Sequence, residues 1–217
     1  VIPSQMKASV VLMLEIAASY TKDATVLNAV TVIMSNIVKD HVPQDVLETL
    51  SLKENQQILF SCMSQSNDAG TLTSLLTILI VTHEYPSYVD TLNSADVFNA
   101  IIHTLTVSTS NILVSQVIEF AKLLVLNPHY SHSQEWIRFL AALRPVAVSK
   151  NPRLICRICS FLNDIVQNSF IQRELLIMDI LDSFISTACE NTYDVHLLDE
   201  VMKLLGAMCV VNELCVY

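Results

Sequence analysis

The sequence predicts an all-α protein, a superhelical α-solenoid of about five stacked helical repeats, and three observations predict this class. An apolar stripe with residue offsets of 0, 4, 7 and 11 recurs along the chain, and such a stripe is one face of an α-helix. The stripes start at positions 26, 72, 113, 154 and 197, which are 46, 41, 41 and 43 residues apart. A period near forty with helical content is typical of helical repeat proteins. Glycine occurs only at positions 70 and 206, which favours helices joined by short turns over phosphate-binding loops.

The clearest stripe lies in residues 151–168, where Asn151 can cap a helix and Pro152 suits its first turn. The stripe positions are Val26, Val30, Ile33, Ile37, then Leu72, Leu76, Leu79 and a polar His83, then Leu113, Val117, Phe120, Leu124, then Leu154, Ile158, Phe161, Ile165, and finally Leu197, Val201, Leu204, Met208. One helix pair cannot bury both of its apolar faces, so each repeat needs neighbours. We therefore expect the residues in the middle of four stripes to be buried in equivalent layers: Val30, Ile33, Val117, Phe120, Ile158, Phe161, Val201 and Leu204.

In the first half of the chain, caps and prolines bound the predicted helices. The predicted ranges are 4–20, 24–39, a short helix at 43–50, 51–63, 71–82, a short piece near 87–92, and 95–107. Pro43 ends the helix before it because the residue preceding a proline avoids the helical region. Ser51 with Glu54 matches a capping box, and Asp68 and Ser94 are predicted N-caps.

In the second half, the predicted helices are residues 111–127, 134–143, 151–168, 171–188 and 194–212. Residues 129–133 are predicted as a polar connector, and Arg144 with Pro145 as a helix break. Ser169 with Gln172 matches a second capping box. We predict one domain over residues 1–217, with approximate repeats at 1–42, 43–85, 86–128, 129–168 and 169–217, as a fragment of a longer chain.

Helix pairs with a variable short lead-in helix, repeated at this period, resemble the armadillo and HEAT repeats over nearly the whole chain. The resemblance implies a right-handed superhelix in which the long stripe helices line the concave face. It rests on the period and the stripe, since the chain carries no diagnostic motif. No stripe helix contains a tryptophan, so the tryptophan and asparagine ladder of importin-type proteins is absent, and a receptor for nuclear localisation signals is disfavoured.

Composition restricts the function classes. The formal net charge of −9 disfavours DNA or RNA as the main partner, because phosphate binding needs local positive charge. The longest apolar runs, such as residues 75–81 with Thr77 inside, are far shorter than a membrane span. The first residues carry no basic region of the kind found in signal peptides. All six cysteines lie in apolar helical context, which predicts reduced core thiols in an intracellular protein of the cytoplasm or nucleus.

The cysteines and histidines that could bind a metal lack the further residues that such a site needs. Cys156 and Cys159 have CxxC spacing, but they lie inside a predicted helix without the further ligands that structural zinc needs. His129 and His132 could share a metal, yet no acidic residue or cysteine completes a ligand set. His83 and His103 are expected to make local hydrogen bonds.

The acidic pairs at 179/182 and 199/200 could act as general acids or bases, although on a repeat surface such pairs are usually solvated. With two glycines, no GxSxG nucleophile elbow is present. We predict no enzyme activity and no catalytic, cofactor or metal site.

The strongest surface feature is a basic interval. From Trp136 to Asn163 there is no acidic residue, and five cations occur there: Arg138, Arg144, Lys150, Arg153 and Arg157. These charges could simply favour helix C-termini, or they could form a patch for an acidic or phosphorylated peptide, since arginine pairs bidentately with carboxylate and phosphate. A nucleic-acid surface is a third reading. We predict a non-catalytic protein-binding scaffold whose contact residues are these five cations and Trp136.

The C-terminal end suggests an alternative function. Terminal repeats normally present a polar outer face, whereas this end is apolar, with Val210, Val211, Leu214 and Val216 as a possible oligomer interface. The alternative is therefore a structural subunit that self-associates through its last repeat. The same apolar end could also be covered by further repeats downstream.

Overall fold

The computed structural model describes residues 3–39, 42–83, 93–107, 110–131, 134–166, 171, 173, 175 and 180–214, without the side chains at 3, 4, 128, 131 and 210–214. Within these ranges every regular element is a helix, so the predicted all-α class is confirmed. The helices are α1 (Pro3–Ser19), α2 (Ala24–Lys39), α3 (Gln44–Ser51), α4 (Lys53–Gln65), α5 (Ala69–His83), α6 (Ser94–Val107), α7 (Asn111–Leu126), α8 (Pro128–Ser131), α9 (Glu135–Ala147), α10 (Pro152–Ile165), α11 (Ile180–Glu190) and α12 (Val195–Leu214).

The chain divides into two compact units, Val1–Leu123 and Leu124–Tyr217. The sequence predicts one continuous domain, and that remains a prediction. Among the described residues, no helix is both long enough and apolar enough to cross a bilayer.

In the first unit the helices pack in two rows. One row holds α1, α4 and α6, and the other holds α2 and α5, with α1 against α2 and α4 against α5 between the rows. α7 joins the second row, because the His83 and Phe120 rings lie 4.8 Å apart in a T-shaped contact. Gln116 Nε2 also donates to Thr77 Oγ1 at 3.2 Å.

The second unit repeats the same pairing. α10 packs beside α12, α9 packs beside α11, and α9 contacts α10 as α11 contacts α12. Ser183 Oγ donates to the carbonyl oxygen of Ala147 at 2.9 Å, and this bond ties α11 to the end of α9.

The stripe prediction is correct in four helices and wrong by one residue in α2. Seven of the eight expected layer residues are buried, but Ile33 is 53 % exposed. The buried face of α2 instead consists of Leu27, Thr31, Met34 and Val38, which follows the same offsets one residue later. α2 is apolar on most sides, so periodicity alone could not fix its rotation. Thr31 tolerates burial because its hydroxyl donates to the Asn28 carbonyl oxygen at 3.1 Å.

Two predicted caps are confirmed. The Asn151 side chain accepts hydrogen bonds from the backbone N–H groups of Arg153 and Leu154, and Pro152 begins α10. The Asp68 carboxylate accepts from the Thr71 backbone N–H at 2.7 Å and from the Thr71 hydroxyl at 2.8 Å. Both side chains satisfy N–H groups that a helix start leaves unpaired.

Two other predicted caps are wrong. Ser51 is the last residue of α3 rather than the cap of α4, and α4 starts after Leu52 without a side-chain cap. At that junction Gln56 Nε2 donates to the Leu50 carbonyl oxygen at 2.7 Å, so an early α4 side chain satisfies the end of α3 instead. Ser94 lies inside α6, and the side chain that accepts from the Ala95 N–H is Asn93, at 3.2 Å.

Two predicted interruptions are also wrong. Pro145 does not end α9, which continues to Ala147. The proline removes one backbone hydrogen bond, and the two residues after it, Val146 and Ala147, are buried. The predicted polar connector at 129–133 begins as the one-turn helix α8, whose Tyr130 is fully buried. The short piece near 87–92 and the capping box of Ser169 and Gln172 lie outside the described residues.

Candidate functional site

The tryptophan predicted to contact a partner lies in the core of the second unit. Trp136 is 1 % exposed, and its indole N–H donates to the Tyr130 carbonyl oxygen at 2.9 Å. Its ring centroid is 5.6 Å from that of Phe139 and 5.7 Å from that of Phe161. The prediction that Trp136 belongs to the contact surface is therefore wrong, since a buried indole cannot reach a partner.

The five predicted cations are all exposed, but two of them already form ion pairs. Arg138 Nη1 lies 2.6 Å from Glu135 Oε2, one turn away on α9. Lys150 Nζ lies 2.6 Å from Glu190 Oε1 at the end of α11. The pairing holds the pKa of the Glu190 carboxyl below its ordinary value, mainly through its hydrogen bond to Lys150. Both cations are therefore partly neutralised by carboxylates, Glu135 and Glu190, that lie outside the interval 136–163 in the sequence.

Arg144, Arg153 and Arg157 make no ion pair within the described part of the chain. Arg153 and Arg157 are one turn apart on the exposed face of α10, which puts their Cβ atoms about 6 Å apart. Arg144 lies in the last turn of α9, where a cation is favoured by the helix dipole. The arginine pair of α10 is thus the part of the predicted surface that fits simultaneous contact with one anionic group.

A carboxylate of the last helix contacts α10, the helix of this arginine pair. Asn163 Nδ2 donates to Glu200 Oε2 at 3.1 Å, which places α12 along one side of α10. The pKa of the Cys156 thiol is raised, first by burial and then by the charges of Glu200 and Asp194, while Arg157 lowers it. The interval is therefore free of acidic residues along the sequence, but Glu200 of α12 contacts α10 in space.

The turn before α10 has an unusual backbone. Lys150 has φ = 55°, the left-handed region that a residue with a Cβ rarely adopts. Its ion pair with Glu190 and the Asn151 cap surround this residue. This left-handed residue lies directly before the Asn151 cap of α10.

The cysteines differ in exposure. Cys62, Cys156, Cys159, Cys189 and Cys209 are free thiols. Cys62 and Cys159 are buried, and burial raises the pKa of the Cys62 thiol to about 11. Cys189 and Cys209 are exposed, so the prediction that all six are core thiols is wrong for these two. Burial, Cys156 and Glu200 raise the pKa of Cys159, in order of effect, which disfavours the thiolate that redox or metal chemistry needs.

The two helical histidines bond as predicted. His83 Nδ1 donates to the Leu79 carbonyl oxygen at 2.9 Å, and His103 Nε2 to the Ser66 carbonyl oxygen at 3.0 Å. His129 is exposed on α8, and His132 lies outside the described residues. Within the ranges that the structure covers, no three His, Cys, Asp or Glu side chains are grouped as metal ligands.

The acidic pair at the start of α12 is neutralised in part. Lys203 Nζ lies 2.6 Å from Asp199 Oδ2 and 3.2 Å from Glu200 Oε1. These bonds raise the pKa of Lys203, the hydrogen bond to Asp199 most. Asp179 of the other predicted pair lies outside the described residues.

The predicted oligomer interface falls largely beyond what can be described. Val210, Val211 and Leu214 belong to α12, but their side chains are outside the description, and Val216 is outside the described residues.

Comparison with family models, curated proteins and solved structures finds no match for the chain.

Proposed function

We propose that this chain is a non-catalytic interaction scaffold, a right-handed α-solenoid of armadillo- or HEAT-like repeats that binds a partner protein or peptide. The two-row packing within each unit supports stacking of equivalent helices. Hydrogen bonds between neighbouring helices of a row also support it, because their partners are separated by nearly one repeat. They join Ser66 to His103, Thr77 to Gln116, Ala147 to Ser183, and Asn163 to Glu200, which are 36 to 39 residues apart.

The arginine pair of α10 carries the proposal for the partner. Arg153 and Arg157 are exposed and without ion pairs in the described ranges. Guanidinium groups one turn apart suit a carboxylate or phosphate group, which each can bind through two parallel N–H donors. We propose an acidic or phosphorylated peptide as the partner, with Arg144 and Lys150 at the edge of the contact. The free thiols fit a reducing compartment, the cytoplasm or nucleus.

Reversing both charges on α10 should weaken binding more than about tenfold, because like-charge contacts cost several kcal/mol. The test measures fluorescence polarisation of labelled acidic and phosphorylated peptides with the wild-type chain and with Arg153→Glu combined with Arg157→Glu. Thermal stability should change little, since exposed substitutions usually stay within about 0.5 kcal/mol. Because Glu200 of α12 contacts α10, the neutral pair Arg153→Gln and Arg157→Gln provides a second, milder variant.

A matched control changes the net charge of the chain by the same amount, at two lysines outside α10. Lys22 and Lys53 are exposed and have no ion pair in the described residues, so Lys22→Glu with Lys53→Glu should leave peptide affinity within about twofold. Equal weakening by the control and by the α10 variant would show that only net charge matters. Unchanged affinity in both α10 variants would exclude this surface.

A second candidate function, self-association through the last repeat, is favoured by the outer face of α12. Met202 is 66 % exposed, and Gly206 and Cys209 are also exposed, with no atom within 4 Å of where a Gly206 Cβ would lie. An exposed apolar helix face of this kind is typical of a contact surface. Light scattering of the isolated chain should give a monomer mass under the scaffold proposal. A concentration-dependent dimer that Met202→Glu abolishes would support self-association instead.

A further inference from the structure

We propose that the groove between α4 and α6 in the first unit binds a basic side chain, lysine or arginine, of a partner polypeptide. The groove has a volume of about 410 Å³. Its walls are Gln57, Phe60, Ser61 and Ser64 of α4 and Asp96 and Asn99 of α6. This site is separate from the arginine pair of α10, and the inference does not depend on the function proposed for that pair.

The groove is held open by two helices in fixed register. His103 of α6 bonds to the Ser66 carbonyl oxygen at the end of α4 at 3.0 Å. Asp96 therefore lies beside the middle of α4 rather than its end. Phe60 is 3 % exposed and packs against His83 and Phe120, so its ring is anchored from the inside. The groove is thus built on core packing and does not depend on a mobile loop.

The lining residues favour a cation. Asp96 is exposed and has no ion pair among the described residues, and none of the lining side chains is basic. The Ser64 hydroxyl already donates to the Phe60 carbonyl oxygen at 3.0 Å, which leaves its oxygen as an acceptor. Together with the Gln57 amide oxygen and the Asp96 carboxylate, it offers acceptors to a group rich in N–H donors. Lysine and arginine side chains carry N–H donors and no hydrogen-bond acceptor.

The net charge of the first unit also favours binding of a cation. Residues 1–123 contain five lysines, no arginine and eleven acidic residues, a net charge of −6. Such a potential attracts cations from a distance. The nearest cation on the same face of α4 is Lys53, one turn before Gln57, and it is exposed and outside the lining.

The test is an NMR titration of the isotope-labelled chain with N-acetyl-arginine methylamide as the probe, and with its citrulline analogue, which has nearly the same shape but no charge. We expect millimolar binding of the arginine probe, with the largest shifts at backbone amides of the groove. Asp96→Asn should weaken that binding about two- to fivefold, the range expected for one exposed ion pair. Ser61→Phe should abolish it by filling the groove, and the citrulline analogue should bind more weakly than the arginine probe.

The matched control is Glu15→Gln, which removes one exposed carboxylate of the same unit without touching the groove. It should leave the affinity unchanged. Circular dichroism of each variant confirms folding before titration. Equal weakening by Glu15→Gln and Asp96→Asn, shifts scattered over acidic residues, or no shift at about 50 mM probe, far above a millimolar Kd, would each overturn the proposal.

Discussion

Phe161→Ala is expected to lower the free energy of unfolding by about 3–5 kcal/mol, the range for removing a fully buried aromatic side chain. Phe161 is 0 % exposed, and its ring lies 5.7 Å from the rings of both Trp136 and Phe139. Alanine would leave a cavity where α9 and α10 meet, and it would remove two aromatic contacts. Urea unfolding followed by circular dichroism and by the fluorescence of Trp136, the single tryptophan, measures the loss.

The control for this prediction is Ile33→Ala in α2. The sequence placed Ile33 in a buried layer equivalent to that of Phe161, whereas the structure leaves it 53 % exposed. We expect its replacement to cost less than about 1 kcal/mol, well below the 2–5 kcal/mol of a buried isoleucine. A loss above about 2 kcal/mol would restore the register predicted from sequence. A loss below about 1 kcal/mol for Phe161→Ala would contradict the packing of the second unit.

Lowering the pH from 7 to 4 is expected to cost about 3 kcal/mol of stability through His83 alone. Burial lowers the pKa of His83 from 6.5 to about 4, against a smaller opposing effect of its hydrogen bond to Leu79. Nδ1 donates to the Leu79 carbonyl oxygen, so protonation would put a charge on Nε2, which is buried without a hydrogen-bond partner in the described residues.

The sign follows from which state binds the proton. Between the two pKa values, 6.5 unfolded and about 4 folded, the unfolded chain holds more protons at this residue. The stability from neutral His83 is therefore complete above pH 6.5, falls as the pH drops to 4, and then levels off. Carboxylates titrate in the same range, so the measurement is a difference between variants.

Urea unfolding of wild type, His83→Phe and His83→Gln between pH 4 and 7 isolates this contribution. Both variants carry no charge at position 83, so their stability should depend less on pH than that of the wild type. Parallel curves for all three proteins would show that His83 titrates in the folded chain as it does in the unfolded one. That outcome would contradict its burial between Phe60 and Phe120.

Local signals predicted most of the helices. Asp68 and Asn151 cap helices because their carboxylate and amide act on N–H groups two or three residues away, and no distant part of the chain is needed. Ser51 also matched a capping pattern, but it is the last residue of α3. Burial of Leu50 and the hydrogen bond from Gln56 to the Leu50 carbonyl oxygen stabilise this longer α3. Such competition between neighbouring helices is a tertiary effect that a capping pattern does not contain.

The site was harder to predict because charge along the chain differs from charge in space. Glu135 lies just outside the acid-free interval, and Glu190 and Glu200 are about forty residues beyond the cations and helix that they contact. The predicted period already contained this information, since one repeat after Asn163 is the region of Glu200. Trp136 was misplaced for another reason, because the sequence does not show which face of α9 meets Phe161.

Capture from cell lysate with three immobilised chains tests the central claim most directly. These are the wild type, the α10 variant with Arg153→Glu and Arg157→Glu, and the control with Lys22→Glu and Lys53→Glu. Quantitative mass spectrometry compares the bound proteins at physiological salt. The scaffold account predicts acidic or phosphorylated partners that the wild type and the control retain, that the α10 variant loses, and that high salt releases. An identical set of proteins on all three chains would contradict it.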